Sequence, residues 1–115
     1  MLVQIFLWEG DPRAALDVAR ASGCPGRLWL QLAKALEEQS PADAIGIYRN
    51  QIEPIVRMTN NNAYDEAADI VRRLRDLMAS TGKGADFSPY LDTLRTQHKA
   101  KRNFMQRLDS TLKKP

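Results

Sequence analysis

Few side chains in this sequence could do chemistry. His98 is the one histidine and Cys24 the one cysteine. A nucleophilic dyad or triad would need His98 as its base. A reactive thiol needs a neighbour that lowers its pKa. Cys24 stands between Gly23 and Pro25 with no histidine near in sequence, so it reads as a small packing residue at a turn. A single cysteine forms no internal disulfide. A structural zinc site takes four ligands at short spacings, and Cys24 and His98 are far apart. Gly82-Lys83-Gly84 is too short for a phosphate-cradling loop and follows a helical pattern rather than a strand. Glu37-Glu38 and Asp65-Glu66 fall near helix ends on solvent faces, and the second pair complements a helix dipole from its first turn. The expectation is therefore no enzyme, with no catalytic residue, metal or cofactor.

The cations are more suggestive. Arg72, Arg73 and Arg75 lie on one expected helix, and Arg95, Lys99, Lys101 and Arg102 on the next. Clustered Lys and Arg bind phosphates by counterion release, so these are the candidate phosphate-binding residues. Few aromatics accompany them and no nucleic-acid reader motif appears. Solvent or salt bridges are the first expectation for them, and nucleic acid is the alternative.

The elements that must position these groups are helices. Sustained apolar/polar alternation and Asn-Gly or Asp-Gly hairpin signals are missing from the sequence. Asp11-Pro12 reads as an N-cap followed by proline at the first helical position. That helix should stop at Gly23, a residue able to take a left-handed conformation. A second helix runs from about Gly26 to Gln39. Ser40-Pro41 repeats the cap-and-proline device, and Pro54 predicts a kink or break near Glu53. Thr59-Asn60-Asn61-Asn62 reads as a turn in which an Asn caps a helix over about 63–80, with Tyr64 stapling the turn. After Gly82-Lys83-Gly84, one last helix continues from Asp86 or Ser88-Pro89 to about Leu112. It would carry His98 at the edge of a stripe of Phe87, Leu91, Leu94, Met105, Leu108 and Leu112. Trp8, Trp29 and Tyr48 read as core anchors.

An internal similarity supports stacked helix pairs. Pro12–Ala19, Pro41–Tyr48 and Tyr64–Val71 align with Ala at the fourth place and Val or Ile at the seventh. A small fourth residue lets a neighbouring axis approach, and the branched residue a turn later fills the seam. The predicted fold is all-α: antiparallel helix pairs, five to six helices in all, stacked as a short right-handed solenoid in a single domain over residues 1–115.

Two resemblances follow. Trp8-Glu9-Gly10-Asp11 before Ala14-Ala15-Leu16 resembles the inter-helix turn of tetratricopeptide repeats. The segment Leu28 to Ala35, then Ser40-Pro41, Ala44-Ile45 and Ile47-Tyr48, looks like one whole helix pair of that kind. Leu7 to Asp11, Leu28-Trp29-Leu30, Pro41, Asp43-Ala44 and Tyr48, Thr59-Asn60-Asn61, Ala63-Tyr64, and Lys101 to Phe104 together resemble the C-terminal helical region of bacterial SWIM zinc-finger family proteins. That resemblance covers nearly the whole chain. It implies a tetratricopeptide-like interaction domain at the C-terminal end of a larger protein, and it does not carry over the zinc module, whose ligands this chain lacks.

Bulk properties set the remaining expectations. The 115 residues suffice for a core without a staple. Net charge is +3, concentrated after residue 82, where eight Lys/Arg face three Asp/Glu. No apolar run approaches the roughly 20 residues of a membrane span, so the expected setting is cytoplasmic, with no membrane partner. Met1–Trp8 is apolar without a basic leader, and it reads as a helix whose partner lies upstream in a longer protein. Leu2, Ile5, Phe6 and Trp8 are then the candidate partner-binding residues. They would meet another protein, an upstream domain or, in a homodimer, a second copy.

Overall fold

Residues 2–113 are described by a computed structural model. Met1, the first residue of the apolar opening, lies outside them, as do Lys114 and Pro115. The described residues form seven α-helices with no strand. These are α1 (Leu2–Trp8), α2 (Pro12–Ser22), α3 (Gly26–Gln39), α4 (Pro41–Val56), α5 (Asn61–Ser80), α6 (Gly84–Gln97) and α7 (Arg102–Lys113). Among them no helix is long and apolar enough to cross a membrane.

The chain divides into two compact units, Met1–Gln51 and Ile52–Pro115, with the boundary inside α4. In the first unit α1 packs on α2 and α3, and α2 packs on α3. Asp11 caps α2 by accepting from the Ala14 N–H at 3.2 Å, and Pro12 takes the first helical position. The helix ends at Gly23 with φ 75° and ψ 169°. That is positive-φ extended backbone rather than the left-handed helical conformation expected, and it still selects glycine. The Ser40 hydroxyl accepts from Arg13 Nη1 at 2.8 Å. Asp43, in the first turn of α4, collects Arg20 at 3.1 Å and Arg13 at 3.5 Å. Tyr48 donates to Glu37 at 2.9 Å, tying α4 to α3.

Pro54 does not break α4 at Glu53. The helix continues to Val56, and the Arg57 N–H donates to the Glu53 carbonyl at 3.0 Å. Only the Asn50 carbonyl loses its helical donor to proline, and Asn50 is exposed to solvent.

In the second unit Asn60 caps α5: its Oδ1 accepts from the Ala63 N–H at 2.8 Å. Asn60→Ala should cost about 1 kcal/mol, read as a lower urea midpoint with an unchanged m-value; an unaltered midpoint would mean that another group satisfies this amide. The single last helix predicted over 86–112 is two helices, which raises the count from the expected five or six to seven. The chain turns at His98–Lys101, where the Lys101 N–H donates to the His98 carbonyl at 2.9 Å. The gain is tertiary. Turning there lets α7 lie on α5 and bury Phe104 and Leu108 completely.

The α5–α7 contacts advance in the same direction along both helices. Tyr64 meets Phe104, Asp65 meets Arg107 and Arg75 meets Leu112. The two helices are therefore parallel, with α6 returning the chain from the end of one to the start of the other.

Candidate functional site

The seven candidate phosphate contacts do not form one bare cationic stripe. Arg95 pairs with Asp109 at 2.6 Å, joining α6 to α7. Arg75 lies 3.2 Å from Asp76 and donates through Nη1 to the Leu112 carbonyl at 2.9 Å. It thereby satisfies one of the carbonyls that the end of α7 leaves open. Arg72 and Arg73 line a depression of about 420 Å³ whose other walls are Asp69 and Asp76. Carboxylates interleaved with the guanidiniums neutralise that face. Lys101 and Arg102 border a second depression, about 320 Å³, with Tyr64, Ala100 and Asn103. Lys99 is exposed on the same turn. The structure thus brings Lys99, Lys101 and Arg102 together and engages Arg75 and Arg95 within the protein. Arg107, outside the candidate set, pairs with Asp65 at 2.7 Å.

The apolar candidates gather on α1. Trp8 is 89% exposed, Leu2 55% and Ile5 48%. Phe6 is half-buried, and Val3 is the buried residue that seats the helix. Trp8 is therefore not a core anchor, and Trp29 is only half-buried, whereas Tyr48 is buried as expected. The cause is geometric. Seven residues make two turns, and every side chain from Leu2 to Trp8 except Gln4 is apolar. Such a helix cannot turn all of them toward its neighbours α2 and α3. An open depression of about 580 Å³ runs beside the exposed face, lined by Gln4, Ile5, Leu7, Trp8 and Gln31. Met58, 63% exposed after α4, drew no attention in the sequence because nothing in its spacing marks it.

The remaining reactive groups are dispersed. Among the described residues no cluster of three or more His, Cys, Asp or Glu is placed to hold a metal ion. Cys24 is half-buried at its turn, and burial pushes its thiol pKa up, away from the reactive thiolate. His98 is not at the edge of a helical stripe. It caps α6 and is buried, with its ring edge-on to Phe104 at 5.8 Å. Phe104 escaped the predicted stripe because an unbroken helix would have faced it elsewhere. Comparisons with protein families, with curated proteins and with solved structures find no match to this chain.

Proposed function

We propose that this chain is a non-catalytic helical module that mediates protein–protein or interdomain contacts through α1. The observation that carries the reading is the exposure of Leu2, Ile5 and Trp8 on a helix without a charged residue. A helix apolar on all sides is one that belongs in an interior, and exposed contiguous apolar surface marks interaction sites. Those three side chains offer roughly 400 Å². Each partner in a standard complex buries about 800 Å², so the surface suits one apolar helix face better than a broad domain. The resemblance to the helical region of SWIM zinc-finger family proteins supports the same reading, with a further part of the polypeptide as the source of that face. α1 of a second copy offers an apolar face of the same kind.

Sedimentation velocity over rising concentration tests this. The wild-type chain is expected to self-associate, and an Ile5→Ser, Trp8→Ser variant to remain monomeric with an unchanged urea midpoint. A wild-type chain that stays strictly monomeric at high concentration would count against the proposal. The nucleic-acid alternative has weaker support, because Arg75 and Arg95 are engaged within the chain. It requires retardation of DNA or RNA at low salt that fades steeply as salt is added.

A further inference from the structure

Among the described residues, one buried side-chain polar atom lacks a hydrogen-bond partner, and it is His98 Nε2. Such an atom needs an explanation, since buried polar groups are nearly always paired. Its position suggests one. His98 is 8% exposed and forms the C-cap of α6. Its N–H donates to the Leu94 carbonyl and its carbonyl accepts from Lys101, so both sides of the turn are anchored on this residue. Its ring stands at 84° to Phe104, which is fully buried and lies 5.8 Å from the Tyr64 ring of α5. One aromatic chain therefore links the end of α6, through α7, to α5.

We propose that the α6–α7 turn is a proton-sensitive hinge, in which neutral His98 favours the docking of α7 against α5 and a proton added to His98 favours its release. The neutral imidazole leaves one ring nitrogen as an acceptor, and a buried acceptor without a partner costs only its lost solvation. The imidazolium has two donors. At Nε2 the added donor would meet no acceptor, and a buried, unpaired cation is far more costly than a neutral ring. The ring relieves this by moving to water, and Phe104 loses the edge that packs against it. The Arg107–Asp65 and Arg95–Asp109 pairs are partly exposed and contribute little each. The enclosed Phe104 and Leu108 and the Arg75–Leu112 hydrogen bond also hold α7, so the proton shifts the balance between closed and released states rather than unfastening the helix outright. Release would uncover Phe104 and Leu108 beside Lys101 and Arg102, an apolar face with a cationic border.

The charged groups that face the ring divide. Glu53, from the last turn of α4, favours the cation, and Lys101, from the turn itself, opposes it. The carbonyl end of α6 also favours positive charge. α7 presents Phe104, and behind it α5 presents Tyr64. Burial outweighs the favourable terms and holds the His98 pKa below its ordinary value of 6.5. In the released state the ring is in water and titrates normally. The closed state therefore loses stability as pH falls below 6.5, and the loss levels off once pH passes the closed-state value.

Amide hydrogen exchange on the full chain, as protection factors at pH 7.5 and pH 5.5, reads this directly. Protection over Arg102–Lys113 is expected to fall between the two, by no more than about tenfold, the limit that an ordinary value of 6.5 sets at pH 5.5. Protection over Gly26–Gln39 is expected to stay constant. His98→Leu, which takes up no proton, should remove the pH dependence of α7. If that variant fails to fold, the His98 titration followed by NMR in the wild-type chain decides the matter. A midpoint at or above 6.5, or α7 protection equal at the two pH values, overturns the hinge.

Discussion

Phe104→Ala is expected to destabilise the protein by about 3–5 kcal/mol, the range for a fully buried aromatic truncated in place. The ring is completely enclosed, with Tyr64 on one side and His98 on the other, both at 5.8 Å between centroids. Truncation forfeits its burial and two aromatic contacts, and it leaves a void at the seam of α5 and α7. Urea unfolding followed by circular dichroism should show a lower midpoint, with Met105→Ala, half-buried on the same helix, as a mild control. A loss below about 1 kcal/mol would mean that α7 does not depend on this ring, since it lies well under the range for truncating an enclosed phenylalanine.

Leu32→Ala should cost about 2–5 kcal/mol, and the comparison with Trp8 gives it its meaning. Leu28, Leu32 and Leu36 recur every four residues along α3, and all three are buried. Leu32 is the middle of that stripe, so its removal opens a cavity with packed neighbours on both sides along the helix. Trp8 is a far larger side chain, yet it projects into water, and Trp8→Ser should move the urea midpoint within the scatter of surface substitutions, roughly 0.5 kcal/mol. Ranking by side-chain size predicts the reverse order. Parallel thermal melts of the two variants settle it, and a Trp8→Ser loss as large as that of Leu32→Ala would place α1 in the core.

What could be read in the sequence was what acts over three or four residues. Asp11-Pro12 and Asn60 mark their helix starts because each cap closes on an amide three residues ahead. The repeated Ala at the fourth place, Ala15, Ala44 and Ala67, is fully buried in all three helices. The seventh place is buried in two of the three helices, at Ile47 and Ile70. Val18 at the seventh is half-buried, whereas Ala19, Tyr48 and Val71 at the eighth are buried more deeply than their seventh-place neighbours. Residues four apart stack on one face, so the eighth place follows the fourth into the seam.

The break at His98–Lys101 was not legible, since that stretch holds neither glycine nor proline and only the docking of Phe104 and Leu108 favours it. The same holds for the cations. Whether Arg95 and Arg75 are open to a ligand depends on Asp109 and on the end of α7, which only the register of α5, α6 and α7 brings near. On α1 the sequence did better. Seven residues with a single polar side chain announce a helix with more apolar surface than two neighbours can cover, and Leu2, Ile5 and Trp8 are where the excess lies. Phe6 is the exception, turned partly inward.

The parallel alignment of α5 and α7 has a consequence for how the chain is made. Arg75 must wait for the Leu112 carbonyl, 37 residues later in the sequence. At a synthesis rate of roughly 5–20 residues per second, that wait is about 2–7 s. Throughout it, the surface of α5 that Phe104 and Leu108 of α7 will cover stands open on the nascent chain. Helix α5 therefore emerges from the ribosome with an apolar stripe still uncovered.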